Sequence, residues 1–86
     1  MPLNISSFIS TEAKREILES VILQASTDIY QVSLELNINP DGIEETWTAD
    51  DSGISDSSSL RSAAERLEFH VSRLHSAKNK LEALEG

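Results

Sequence analysis

Four leucines at seven-residue spacing constrain this chain more than any other feature of its sequence. The four are Leu60, Leu67, Leu74 and Leu81. A seven-residue repeat of apolar side chains is typical of a helix that packs along a second helix. With the leucines at position d of a heptad, Ala64 and Val71 occupy position a. We therefore predict an amphipathic, coiled-coil-like helix over residues 59–85.

The length and the charge of the chain limit the class of protein in which this helix can occur. A chain of 86 residues is expected to fold as one small domain, residues 1–86. It has no cysteine, which excludes disulfides and thiolate metal sites. Its formal charge of −8 argues against direct contact with nucleic acid, because phosphate binding needs a basic surface. No apolar run approaches the ~20 residues of a membrane span, and residues 1–9 do not resemble a signal peptide, so we expect a cytoplasmic protein.

A first helix is predicted over residues 10–27. Ser10 or Thr11 can cap it, and Glu12 lies in the first turn, where the helix dipole favours an anion. Apolar residues follow at steps of four. They are Ala13, Ile17, Val21 and Ala25. Residues 1–9 then form an N-terminal arm.

The stretch after this helix has the pattern of a strand. Residues 30–38 alternate strictly between apolar and polar side chains, which is typical of a strand with one buried face. The turn-forming sequence Asn-Pro-Asp-Gly follows, and the alternation resumes over residues 43–49. We therefore predict a β-hairpin within residues 29–49, followed by an acidic, serine-rich linker at residues 50–58. The predicted fold class is α+β.

The same stretch also fits a helical period of four, three and four residues. The positions concerned are Ala25, Ile29, Val32 and Leu36. In this alternative the first helix runs to Asn37 and the fold is an all-α helical hairpin. A helical hairpin with Trp47 in its connection resembles secreted two-helix proteins that carry a Trp-x-Gly turn. Here the residues read Trp47-Thr48-Ala49 and lack the glycine, so we assign the chain to no family.

The leucine repeat predicts a protein–protein interface. The predicted interface residues are Leu60, Ala64, Leu67, Val71, Leu74 and Leu81. A first helix that ends near residue 27 is too short to cover the C-terminal helix. We therefore expect part of this row of interface residues, here called the seam, to pack against another chain. The simplest such chain is a second copy, in a homo-oligomer, and packing onto the first helix of the same chain is the alternative. Adaptor, assembly factor, chaperone and small structural subunit are all roles that fit, with a protein partner rather than a membrane or nucleic acid.

Acidic residues are concentrated in the middle of the chain. Residues 37–56 contain six acids and no base. The predicted acidic surface comprises Asp41, Glu44, Glu45, Asp50 and Asp51. An alternative function follows from it: an inhibitor whose acids occupy the basic, nucleic-acid-binding site of a partner protein.

Sequence patterns for catalysis and for metal binding are missing. His70 and His75 are five residues apart and diverge around a helix, whereas a two-histidine metal site on a helix needs a spacing of four. With Gly53 at position six of a calcium loop, both obligatory acidic ligands are absent. The sequence also has no glycine-rich phosphate loop and no Gly-x-Ser-x-Gly motif. We therefore expect a non-enzymatic protein with no cofactor and no metal ion.

Overall fold

A computed structural model describes residues 2–85 as a helical hairpin. A short 3-10 helix, Ile5–Phe8, precedes two long helices, α1 (Thr11–Leu36) and α2 (Arg61–Glu85). No strand occurs within the described residues, so the predicted β-hairpin at 29–49 and the α+β fold class are wrong. The all-α alternative describes the architecture. Met1 and Gly86, the two ends of the predicted single domain, lie outside the described residues.

Both ends of α1 are fixed by local hydrogen bonds. At its start the hydroxyl of Ser10 accepts a hydrogen bond from the Ala13 N–H at 3.1 Å, which confirms Ser10 as the cap. At its end Asn37 takes the left-handed conformation, with φ 58°, and the Ile38 N–H donates to the Ser33 carbonyl at 3.0 Å. These features are typical of a helix C-terminus in which an Asn or Gly reverses the chain. The helix therefore continues well past residue 27, where the sequence pattern predicted a stop.

The strand-like alternation over residues 30–38 arises because α1 has apolar side chains on two opposite sides. Val32 and Leu36 are buried, whereas Tyr30 and Leu34, each two residues earlier, are exposed. Two residues of an α-helix correspond to a rotation of about 200°. One buried and one exposed apolar row, offset by two residues, therefore place an apolar side chain at every second position, as the single apolar face of a strand would.

The core lies at the end of the hairpin where the two helices are connected, here called the closed end. Its buried residues are Ile29, Val32, Leu36, Ala49, Ala63, Ala64, Leu67 and Val71. Leu67 is the largest fully buried apolar side chain, and the neighbouring alanines at 63 and 64 allow α1 to approach closely. The other end, where α1 begins and α2 finishes, is here called the open end. It has no fully buried residue among those described before Ala25 in α1 or after Ala77 in α2.

The connection, residues 37–60, has no regular secondary structure but packs over the closed end. Ala49 is buried in the core, and Ile43, Trp47 and Ile54 pack against it as partly buried side chains. The predicted linker at residues 50–58 therefore includes an anchor in Ile54. In the described part of the chain neither helix is long and apolar enough to cross a membrane.

Arg61, the first residue of α2, ties this connection to the helices. Its guanidinium group donates to the carbonyls of Ala49 at 3.4 Å and Ile54 at 3.3 Å. It also forms ion pairs with the carboxylates of three acids. These are Asp50, Asp56 and Glu65. The hydrogen bond to Asp50 is the main cause of a pKa raised above the ordinary arginine value, with burial acting in the opposite direction. The neighbouring carboxylates thus favour the charged form of Arg61.

Candidate functional site

One row of α1 is apolar and exposed, and it is the candidate site. We call it the outer face of α1 and define it by Leu23, Thr27, Tyr30 and Leu34. The side chains of Leu23, Tyr30 and Leu34 are 69%, 55% and 62% exposed. Each member of the row lies two residues before a buried residue of the core row, so the outer face points away from α2. The outer face therefore takes no part in the apolar core of the hairpin.

The outer face is also free of charge. Asp28 is the only acidic or basic residue between Ser20 and Leu34. Its carboxylate is turned toward α2, 3.8 Å from the imidazole Nδ1 of His70 and 3.7 Å from the guanidinium of Arg73. Charged residues make up 26% of the chain. A protein that bound to the outer face would nevertheless remove no ionised group from water.

Thr27 completes the apolar character of the row. Its hydroxyl donates to the Leu23 carbonyl at 2.9 Å, so the polar group of this side chain is satisfied within the helix. A threonine bonded in this way keeps its methyl group for contact with a partner. The outer face is therefore mainly hydrocarbon along successive helix turns, with the hydroxyl of Tyr30 as its remaining polar group.

The predicted seam of α2 is found inside the hairpin. Ala64, Leu67 and Val71 are buried in the core with residues of α1, and Leu74 and Leu81 are partly buried. Leu60 lies just before α2 and is 41% exposed. The argument that the first helix is too short to cover the seam is wrong, because α1 has 26 residues and α2 has 25. An interface with another chain through these same side chains stays untested, and it would have to replace α1.

The five predicted acidic residues are all exposed on the connection. Two of them have basic neighbours: Asp50 pairs with Arg61, and the Glu45 Oε2 lies 3.0 Å from the His75 Nδ1. The other three, Asp41, Glu44 and Asp51, form no ion pair with another described residue. The acids are therefore spread along the connection, and Asp50 is the one of the five that pairs with an arginine of α2 in the described chain.

The two histidines serve separate contacts. His70 faces Asp28 of α1, and His75 faces Glu45 of the connection and Asn79, whose amide lies 3.2 Å from the ring Nε2. Within residues 2–85 no group of three histidine, aspartate or glutamate side chains is placed to hold a metal ion. Each imidazole links α2 to another part of the hairpin.

A second apolar surface lies at the open end. There the N-terminal arm, the start of α1 and the end of α2 enclose a groove of about 420 Å³, here called the open-end groove. Its apolar walls comprise Ile5, Ile9, Ile17, Leu18 and Leu84. Among the described residues that line it, Lys14 and Lys80 are the ionisable ones. An ion pair of 3.5 Å between Arg15 and Glu85 joins the two helices beside it.

Sequence reasoning missed both surfaces, although the signal for the outer face is present in the sequence. Leu23, Tyr30 and Leu34 are separated by seven and four residues, which is a helical period. The row is hard to recognise because Tyr30 and Leu34 also fit one face of a strand. The open-end groove has no comparable signal, because it joins residues 5–18 to the end of α2, which is distant in sequence. Compared with protein-family models, curated proteins and solved structures, the chain shows no match.

Proposed function

We propose that this protein is a helical-hairpin interaction module that pairs with a second copy of itself through the outer face of α1. The observation that carries the proposal is the second apolar row of α1, which is uncharged and which nothing in the described chain covers. Rows of large apolar side chains on one side of a surface helix are typical of helix–helix contacts. The proposed function is thus the assembly of two copies of the chain rather than catalysis.

The spacing of the row favours a second copy as the partner. Its members follow one another at intervals of four, three and four residues, which is the same sequence of intervals in both directions. In an antiparallel pair with two-fold symmetry, Leu23 of each copy lies opposite Leu34 of the other, and Thr27 lies opposite Tyr30. A two-fold interface requires this kind of self-complementary surface, in which residue i contacts j and j contacts i.

Electrostatics favour the same orientation. Residues 37–56 hold six of the acids and lie at the closed end of the hairpin. An antiparallel pair places the two closed ends on opposite sides of the two-fold axis, with the ends of α1 at Leu36 about 22 Å apart along the helix axes at 1.5 Å per residue. A parallel pair would bring the two acidic connections side by side. Because each copy has a formal charge of −8, residual repulsion still opposes pairing. We therefore expect a dimer of micromolar affinity that becomes tighter as salt is added.

Sedimentation equilibrium over a range of protein concentrations and two salt concentrations tests the proposal. The wild-type chain is expected to approach twice the chain mass, and to do so at lower protein concentration in high salt. Leu34→Glu places a carboxylate in the contact and is expected to leave a monomer throughout. Leu3→Glu is the matched control, since Leu3 is 76% exposed and lies outside the outer face, and it should behave as the wild type.

Three results would contradict the proposal. A wild-type monomer at every concentration rejects self-association. Loss of association in Leu3→Glu but not in Leu34→Glu places the contact elsewhere. Association with another protein that weakens with salt would instead support the acidic inhibitor, whose contacts are attractive charge pairs.

The antiparallel orientation has its own test, which the absence of native cysteine makes simple. Spin labels are attached to single cysteines at Gln31→Cys and, separately, at Glu12→Cys. In the antiparallel dimer the Gln31 labels lie near the two-fold axis, whereas the Glu12 labels are about 50 Å apart along the helix axes at 1.5 Å per residue. Similar, short distances for both labels would show a parallel pair.

A further inference from the structure

We propose that the open-end groove binds a single-chain anionic amphiphile, such as a long-chain carboxylate, with its hydrocarbon chain in the groove and its head group at Lys14 and Lys80. This inference does not rest on the proposed self-association. The groove is at the start of α1 and the end of α2, whereas the outer face occupies the second half of α1 on the side away from α2.

The shape and lining of the groove favour a small hydrocarbon ligand. Its volume of about 420 Å³ falls within the range of small-molecule sites, roughly 300–1,000 Å³. Within residues 2–85, five of the eight residues that line it are isoleucine or leucine, and Ser6 is the one polar uncharged residue. Ile5 and Ile17 are about half exposed, so a ligand would remove apolar surface that the fold itself leaves in water.

The charge at the groove favours an anionic head group. Lys14 is half-buried, which places its hydrocarbon stem along the wall while its ammonium group can reach the rim. Neither Lys14 nor Lys80 forms an ion pair with another described residue. The nearby Arg15 and Glu85 are paired with each other. Two lysines beside an apolar groove thus complement one carboxylate attached to an alkyl chain.

The overall charge favours a small anionic ligand over a larger anionic partner. The molecule has a formal charge of −8, so an anionic bilayer or an acidic helix would be repelled along its whole surface of approach. A single monoanion interacts mainly with charges within a Debye length of about 8 Å, and the charged residues that line the groove in the described part of the chain are Lys14 and Lys80. A second copy docked at this groove would bring four lysines together.

The test is a titration with sodium dodecanoate, kept below its micelle concentration and followed by amide and methyl NMR shifts. Dodecyltrimethylammonium, with the same chain and a cationic head, is the matched ligand. We expect saturable binding of one dodecanoate per chain, with shifts at Ile9, Ile17 and Leu84 and none at Trp47. The cation should bind at least tenfold more weakly, because it loses two attractive contacts and gains repulsion.

Variants separate the groove from non-specific apolar binding. Lys14→Gln combined with Lys80→Gln should weaken dodecanoate binding by about tenfold, since each exposed charge pair contributes a modest amount. Lys78→Gln is the control, because Lys78 lies on the same helix but does not line the groove. Circular dichroism of each variant verifies that the helices are retained. All three lysine-to-glutamine changes concern exposed or half-buried side chains, so the hairpin should keep its fold.

Several outcomes would overturn the proposal. They are an absence of saturable binding, equal affinity for the cationic amphiphile, and a double variant that binds as the wild type does. Shifts centred on Leu23, Tyr30 and Leu34 would reassign the ligand to the outer face of α1. Co-sedimentation with phosphatidylglycerol vesicles in the absence of dodecanoate binding would replace the small ligand with a membrane surface. Failure of the dimer, by contrast, would leave the groove proposal unaffected.

Discussion

Leu67 of α2 and Leu34 of α1 are the same residue type in two helices, but their surroundings differ. Leu67 is fully buried in the core, whereas Leu34 is exposed on the outer face of α1. Leu67→Ala should lower the free energy of unfolding by about 3 kcal/mol, because it removes buried methyl groups and leaves a cavity. Leu34→Ala should change it by less than about 0.5 kcal/mol. Urea unfolding, at a protein concentration where the chain is monomeric, measures both; equal losses would show that the outer face is already covered within one chain.

Ser33 is a polar residue in an apolar position. Its side chain is fully buried, and its hydroxyl has no hydrogen-bond partner among the described residues. Ser33→Ala removes this unpaired hydroxyl without changing the size of the side chain much, and should raise the free energy of unfolding by about 1 kcal/mol. The same urea experiment measures it. A destabilised Ser33→Ala variant would indicate that the hydroxyl donates to a carbonyl of the preceding helix turn.

At the scale of the element, Asn37 distinguishes a helix end from a strand. Its left-handed backbone suits Asn or Gly and disfavours a β-branched side chain by about 1–2 kcal/mol. Asn37→Val should therefore lower the melting temperature, and Asn37→Gly should leave it nearly unchanged. If residues 30–38 formed the strand that their alternation suggests, the valine would be favourable, because β-branched residues suit strands. The sign of the Asn37→Val effect thus decides between the two structures.

Most polar contacts between the connection and α2 involve one side chain, Arg61. Arg61→Ala removes its bonds to the carbonyls of Ala49 and Ile54 and its ion pairs with the neighbouring acids. Limited proteolysis should then cut the connection faster, with little loss of helix by circular dichroism. Arg66→Ala is the control, since Arg66 has one exposed ion pair, with Glu35 at 2.9 Å. Equal cleavage of the two variants would mean that apolar contacts alone hold the connection.

The elements that sequence reasoning located are those whose signals are local. The leucine repeat predicted a helix over residues 59–85, close to Arg61–Glu85, and Ser10 was among the predicted caps. The second half of α1 was mistaken for a strand because a helix with apolar residues on two sides satisfies both periods. The order of the connection rests on contacts between Arg61 and residues up to 12 positions earlier, which no local pattern reports. The outer face was missed for the same reason as the second half of α1, because this stretch was interpreted as a strand.

At the scale of the whole molecule, burial is unevenly distributed along a body of 45 × 32 × 18 Å. The fully buried residues of α1 begin at Ala25, and those of α2 end at Ala77. The open end is therefore held by half-buried side chains and by the exposed ion pair between Arg15 and Glu85, which contributes at most about 1 kcal/mol. The two helices should separate locally at this end at a lower free energy than that of global unfolding.

Amide hydrogen exchange measures this gradient along each helix. Amides of residues 25–36 and 63–74 should exchange near the rate set by global unfolding, and those of residues 15–20 and 78–85 should exchange faster. Ala77→Ser, which adds a buried polar group where the core ends, should extend the fast region toward the closed end and leave residues 29–36 unchanged. Uniform protection along both helices would mean that the hairpin opens only as a whole. In that event the open-end groove would be a rigid surface, and a ligand bound there would slow exchange throughout the molecule rather than at one end.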